Sequence, residues 1–137
     1  MSIEAYSTLK NGNKRLSEHF EVREFACRDG SDPVFVDSEL VRVLQNIRDY
    51  FGKPVVITSA YRTAAPNKAV GGAKYSQHCY GRAADIRVAG VPVETLATYA
   101  ETLLPDTGGI GRYPVRSGRP TGWVHVDVRA AKSRWKG

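Results

Sequence analysis

Two stretches of the chain alternate strictly between apolar and other residues. In Ala83-Ala84-Asp85-Ile86-Arg87-Val88, Ala84, Ile86 and Val88 share one face, and Ala83, Asp85 and Arg87 share the other. In Trp123-Val124-His125-Val126-Asp127-Val128 the three valines share a face, and Trp123, His125 and Asp127 lie opposite. A period of two predicts strands, with the apolar face turned to a core. Elsewhere the period lengthens. Leu40, Val43, Leu44, Ile47 and Phe51 recur at helical spacing after Asp37-Ser38-Glu39, which can cap free amides, and Gly52 with Pro54 stops the run. A second helix is predicted with Pro92 in its first turn and Leu96, Tyr99, Ala100 and Leu103 inward, up to Pro105. Val55-Val56-Ile57-Thr58 reads as a buried strand that delivers Tyr61 and Arg62 just past its end, and Gly108 to Tyr113 reads as another, with close backbone approach.

The remaining segments are weaker in pattern. Residues 1–15 read as an extended arm with a turn at Asn11-Gly12-Asn13, after which Leu16, Phe20 and Phe25 cover the core. Pro66 to Ala73 reads as a short helix or loop ending at Gly71-Gly72, residues 114–122 as a loop bordering a cleft, and 130–137 as a frayed basic tail. Together these elements predict an α+β fold, an antiparallel sheet with flanking helices. A chain of 137 residues and 42% hydrophobic content suffices for one core without disulfide staples, so a single domain over 1–137 is expected.

Candidate chemistry sits on the non-valine faces. A catalytic zinc takes three ligands from His, Cys, Asp and Glu and keeps a fourth position for water, and His78, Asp85 and His125 could supply the three. Gly81 suits a loop that turns His78 back toward the following strand. Each residue alone has a bland reading, as a surface loop or a hydrogen-bonded structural histidine. His19 reads as a packing or hydrogen-bonding residue. Cys27 and Cys79 form no Cys-x-x-Cys pair and read as small thiols, with a bridge between them left open.

Three blocks in order resemble the zinc D-alanyl-D-alanine carboxypeptidases and related peptidoglycan-cleaving metallopeptidases, which share a fold with the Hedgehog signalling domain. They are Ile57-Thr58-Ser59-Ala60-Tyr61-Arg62, then Ser76-Gln77-His78 through Gly81, Ala83 and Asp85, then Val124-His125-Val126-Asp127. Leu16 to Phe20 with Glu24-Phe25 resembles one branch. The resemblance implies a Hedgehog/DD-peptidase-like fold, Zn²⁺ on His78, Asp85 and His125, and hydrolysis of peptidoglycan stem or cross-link peptides containing D-amino acids. It gives Arg62 the role of holding substrate, against a structural salt bridge. Tyr61, Ser76, Gln77 and Tyr113 become substrate-binding candidates, with Tyr113 facing the oxyanion. Many members carry a basic carboxylate three residues before the last zinc His, where this chain has Gly122. Asp127 is then a candidate general base or a carboxylate orienting His125, and the roughly 7 Å between i and i+2 positions on a strand suits a neighbouring site residue better than a direct partner.

The net charge of +6 favours anionic partners, and a basic surface on a polyanionic wall accounts for it. Lys and Arg are scattered without a nucleic-acid motif, so no nucleic-acid partner is expected, and steep salt-dependent DNA binding without zinc would be the sign of one. No stretch nears the roughly 20 apolar residues of a membrane span, and the N-terminus lacks the apolar run of a signal peptide. Synthesis in a cytoplasm as a monomer is expected, with access to the wall by lysis or phage delivery, as for an endolysin. The alternative is a catalytically inactive wall-binding or phage-particle protein that keeps the fold.

Overall fold

A computed structural model describes residues 2–63 and 76–137. In chain order the elements are β1 (Ile3–Ser7), α1 (Thr8–Asn11), β2 (Arg15–Ser17), β3 (Phe20–Glu21), β4 (Pro33–Asp37), α2 (Ser38–Phe51), β5 (Val55–Ser59), β6 (Ala83–Val88), α3 (Val93–Leu103), β7 (Gly109–Tyr113), β8 (Trp123–Asp127) and β9 (Ser133–Lys136). Short 3₁₀ turns stand at Val22–Phe25 and Gln77–Tyr80. The fold is α+β. The segment Pro66 to Ala73 lies outside the described residues.

Local chemistry explains the helices. Asp37 caps α2 by accepting from the Glu39 amide at 2.9 Å, and Gly52 closes it in the left-handed conformation at φ +65°. The apolar stripe of α2 buries Leu40, Val43, Leu44 and Ile47 against the sheet, and α3 adds Leu96, Ala97 and Ala100. Ala84, Ile86, Val88, Ile110, Val124 and Val126 meet them from the sheet. At about 1.5–3 kcal/mol for each large side chain taken out of water, this layer is the main source of stability.

Five strands form the principal sheet in the order β5-β6-β8-β7-β9. The first four are antiparallel, as the sequence predicts, while β9 runs parallel to β7. The sheet is therefore mixed, and residues 133–136 form an edge strand where a frayed tail is expected. Arg134 holds this strand down: its guanidinium pairs with Glu101 at 3.0 Å and donates to the Gly108 carbonyl at 2.7 Å and to the Leu104 carbonyl. The N-terminal arm is likewise paired, β1 lying antiparallel along β4. Among the described residues no helix is long and apolar enough to cross a membrane.

Candidate metal centre

Register places the site. Asp85 on β6 stands opposite His125 on β8, and His125 stands opposite Gly111 on β7, so these residues share the sheet face away from the valine layer. His78 arrives from the 3₁₀ turn just before β6. That turn ends at Gly81, whose φ of +73° favours glycine, and whose Cβ, if present, would lie 2.3 Å from the Phe35 carbonyl oxygen. The Gly81 carbonyl also accepts from the Asp37 amide at 2.8 Å, and the His78 carbonyl from the Arg62 amide at 3.2 Å. The histidine is thus anchored to both flanking segments.

His78, Asp85 and His125 each offer one ligand atom, all within 4.8 Å of one another. His78 Nε2 and His125 Nδ1 approach the same Asp85 oxygen, at 3.4 and 3.3 Å. Their other ring nitrogens are occupied: His78 Nδ1 lies 2.7 Å from the Ala60 carbonyl oxygen, and His125 Nε2 lies 2.7 Å from Asp127 Oδ2. Those acceptors fix the tautomers so that an unprotonated nitrogen of each ring faces Asp85, the arrangement found around metal-ligating histidines. Two imidazoles and one carboxylate are a donor set suited to zinc. A second group, Glu18, His19 and Asp49, lies at the surface, and His19 Nδ1 sits 2.7 Å from Gln45 Nε2.

A proton on a facing nitrogen would stand where a metal would otherwise be held. Burial alone would raise the Asp85 carboxyl, but hydrogen bonds from the imidazoles in that protonated form hold it below the usual carboxylate range. Burial alone would lower His125, yet the bonds to Asp127 and Asp85 raise it. Protons would therefore compete with a metal held at His125, and its affinity would fall on acidification.

Asp127 is wholly buried, and its environment corrects one expectation. The expected gap of about 7 Å from His125 is closed because the imidazole lies along the strand and its far nitrogen reaches the carboxylate. The Asp127 oxygens also accept from the Arg129 guanidinium at 2.8 and 2.6 Å, from the Arg129 amide at 3.1 Å and from the Gly109 amide at 2.9 Å. A side chain at Gly109 would sit 2.2 Å from Asp127 Oδ2, so the glycine makes room for the carboxylate.

The substrate-side candidates separate. Arg62 Nε and Gln77 Oε1 are buried and without hydrogen-bond partners among the described residues, which is costly unless a ligand satisfies them. The Ser76 hydroxyl instead caps the turn, accepting from the His78 amide at 3.2 Å. Tyr61 packs edge-on against Phe35, with ring centroids 5.4 Å apart. Tyr113 stacks on Trp123 at 4.9 Å, and its hydroxyl accepts from Trp135 Nε1 at 2.8 Å. Cys27 and Cys79 are both free thiols, and burial pushes Cys79 up, away from a ligating thiolate.

Gly122, at the position where the resemblance implies an acid, has no space for one. A Cβ there would lie 2.6 Å from the Tyr113 carbonyl oxygen and 2.7 Å from a Val93 methyl. Arg129 and Trp135, which surround His125 and Asp127, belong to the C-terminal stretch that reads as a basic tail, where an isolated Arg or Trp carries no periodic signal.

Two histidines and an aspartate converging on one face of an α+β fold define a candidate single-metal site of the hydrolase kind. A family model described as Peptidase M15 matches residues 18–127, and the chain belongs to that family. This agrees with the resemblance carried by the three sequence blocks. The chain is also 33% identical over 110 residues to a probable peptidoglycan L,D-endopeptidase, MepK, of Haemophilus influenzae, the match covering 74% of this chain and 55% of that protein. The chain thus spans about half the length of that relative.

Proposed function

We propose that this chain is a zinc-dependent peptidase that hydrolyses peptidoglycan stem or cross-link peptides containing D-amino acids, built as one domain on the Hedgehog/DD-peptidase-like fold. The observation that carries the reading is the convergence of His78 Nε2, His125 Nδ1 and Asp85, with both outer ring nitrogens hydrogen-bonded away. Membership of the Peptidase M15 family and the peptidoglycan endopeptidase named among its relatives support the substrate class. The formal charge of +6 suits a polyanionic wall.

Zinc held by these three residues would supply polarisation of a scissile carbonyl and a nucleophile at neutral pH. The chain's own groups do the rest. Arg62, a planar fork with a buried donor lacking a partner among the described residues, binds a substrate carboxylate. Gln77 Oε1 accepts from a peptide N–H. Tyr113 keeps its own proton to donate to the developing oxyanion. Asp127 orients His125, since its oxygens are committed to His125, Arg129 and Gly109.

Arg62→Ala is expected to retain metal and to lower kcat/KM roughly 10- to 100-fold, the loss of a charge-assisted hydrogen bond of about 1.5–3 kcal/mol. Steady-state kinetics with metal content measured on the same sample checks this.

A second reading is a wall-binding protein without turnover, favoured by the closed packing at Gly122. Metal content of the purified chain, together with digestion of whole peptidoglycan with and without a chelator, separates the two. About one zinc per chain with chelator-sensitive release of muropeptides supports the peptidase, and the fragment masses name the bond. Zinc without cleavage supports the binding protein, and absence of zinc refutes the zinc-peptidase reading.

A further inference from the structure

The edge strand β9 places Trp135 opposite Gly111, on the same sheet face as His125. Its indole lies 4.9 Å from the His125 ring, centroid to centroid, and the Arg129 guanidinium sits 5.5 Å over its face. Arg129 holds Asp127, and Asp127 holds His125, so His125, Asp127, Arg129 and Trp135 close a ring of contacts around the candidate ligand. The indole can lie there because position 111 has no side chain: a Cβ would come within 2.5 Å of it. The indole N–H meanwhile donates to the Tyr113 hydroxyl at 2.8 Å. Trp135 lies beyond the residues 18–127 that the family model matches.

We propose that Trp135 is a positioning residue for the metal centre, acting through His125, whose ring it braces, and through Tyr113, whose hydroxyl its indole N–H orients. A histidine held at one edge by Asp127 and packed against an indole tilted 51° to its ring has little freedom to rotate out of the ligand set. A tyrosine oxygen that accepts from Trp135 is left with its own O–H as the donor, and the direction of that proton is fixed. The indole therefore links the donor set to the aromatic wall formed by Tyr113 and Trp123. This inference rests on the peptidase reading only for its second half.

The test uses the full chain in four variants: Trp135→Phe, Trp135→Ala, Tyr113→Phe and the double variant Trp135→Phe/Tyr113→Phe. Zinc affinity is read by competition with a chromophoric chelator, and kcat and KM are read on soluble muropeptides. Trp135→Ala is expected to weaken zinc binding about tenfold, as loss of an outer-shell contact does, and Trp135→Phe to restore it by keeping a ring against His125. Trp135→Phe is expected to lower kcat about tenfold with little change in KM, and Tyr113→Phe to add nothing further in the double variant, because both remove one aligned donor. Wild-type zinc affinity in Trp135→Ala, wild-type kcat in Trp135→Phe, or multiplying effects in the double variant would overturn the proposal. If the alanine variant does not fold by circular dichroism, Trp135→Leu, which fills more of the volume without a ring, takes its place. Zinc binding needs no turnover. A wild-type chain that bound zinc and cut nothing would sink the peptidase reading, and the affinity of the ring-deleted variant would then decide this one.

Discussion

His125→Ala is expected to remove metal binding and peptide cleavage together. The substitution deletes Nδ1, one of three convergent donors, and strips Asp127 of one of its partners. Loss of a direct ligand should exceed the roughly 10- to 100-fold that loss of an outer-shell partner costs in metal affinity. A metal bound at 1,000 times its Kd stabilises a fold by about 4 kcal/mol, so the wild-type melting temperature should drop on chelation. The His125→Ala protein should melt at the same temperature with and without chelator. His78→Ala should behave alike, although it frees the Ala60 carbonyl as well. Calorimetric melting with and without chelator, run beside the digestion assay, decides the matter. A variant that kept chelator-sensitive cleavage would remove His125 from the ligand set.

Asp127→Ala carries the largest expected cost in stability. The carboxylate is fully buried against Arg129 and the Gly109 amide, and removing it leaves a cation and a donor without their acceptor. The Arg129 side chain is 30% exposed and can turn to water, so the cost is set mainly by the buried donor left unsatisfied, about 1–3 kcal/mol, still a large share of the roughly 5–15 kcal/mol that separates most native states from unfolded ones. The same change carries a pH signature. Burial would raise the Asp127 carboxyl, but His125 and Arg129 hold it below the ordinary carboxylate range. Its folded-state pKa is therefore depressed. The stability it contributes is fully present above the unfolded value near 3.9 and is lost as pH falls through the folded value. Denaturant melts across pH 2–7 should show a wild-type decline on the acid side that is shallower in the variant. Asp127→Asn separates the roles: an orienting carboxylate predicts weaker zinc binding with residual turnover, and a general base predicts full zinc occupancy with none.

Much of this was legible in the chain. Strict alternation around Ile86 and Val126 announced β6 and β8, and therefore which residues share a face with Asp85 and His125. Helical spacing from Leu40 to Phe51, capped by Asp37, announced α2. What escaped was tertiary. β9 reads as alternating Ser, Arg, Trp and Lys with no apolar face, and only the carbonyls of Leu104 and Gly108 and the carboxylate of Glu101 explain why Arg134 pins it to β7. Of the two roles open to Asp127, the directness of its contact with His125 was not legible, because strand geometry gives Cβ spacings and says nothing of where an imidazole lies. Gly122 read as a missing acid, and the Tyr113 carbonyl and Val93 methyl beside it show a position that excludes one.

The two faces of the principal sheet have separate duties. One packs the valines and isoleucines of β6, β7 and β8 against α2 and α3, and the other carries Asp85, His125 and Tyr113. Because neighbouring residues on a strand point to opposite sides, a change at an outer position such as Arg87 or Trp123 leaves the hydrophobic layer untouched. On the peptidase reading, such a scaffold lets selection retune which peptide is recognised at little cost in folding. A mutational scan restricted to outer positions apart from Asp85, His125 and Asp127 would explore new specificities in proteins that still fold.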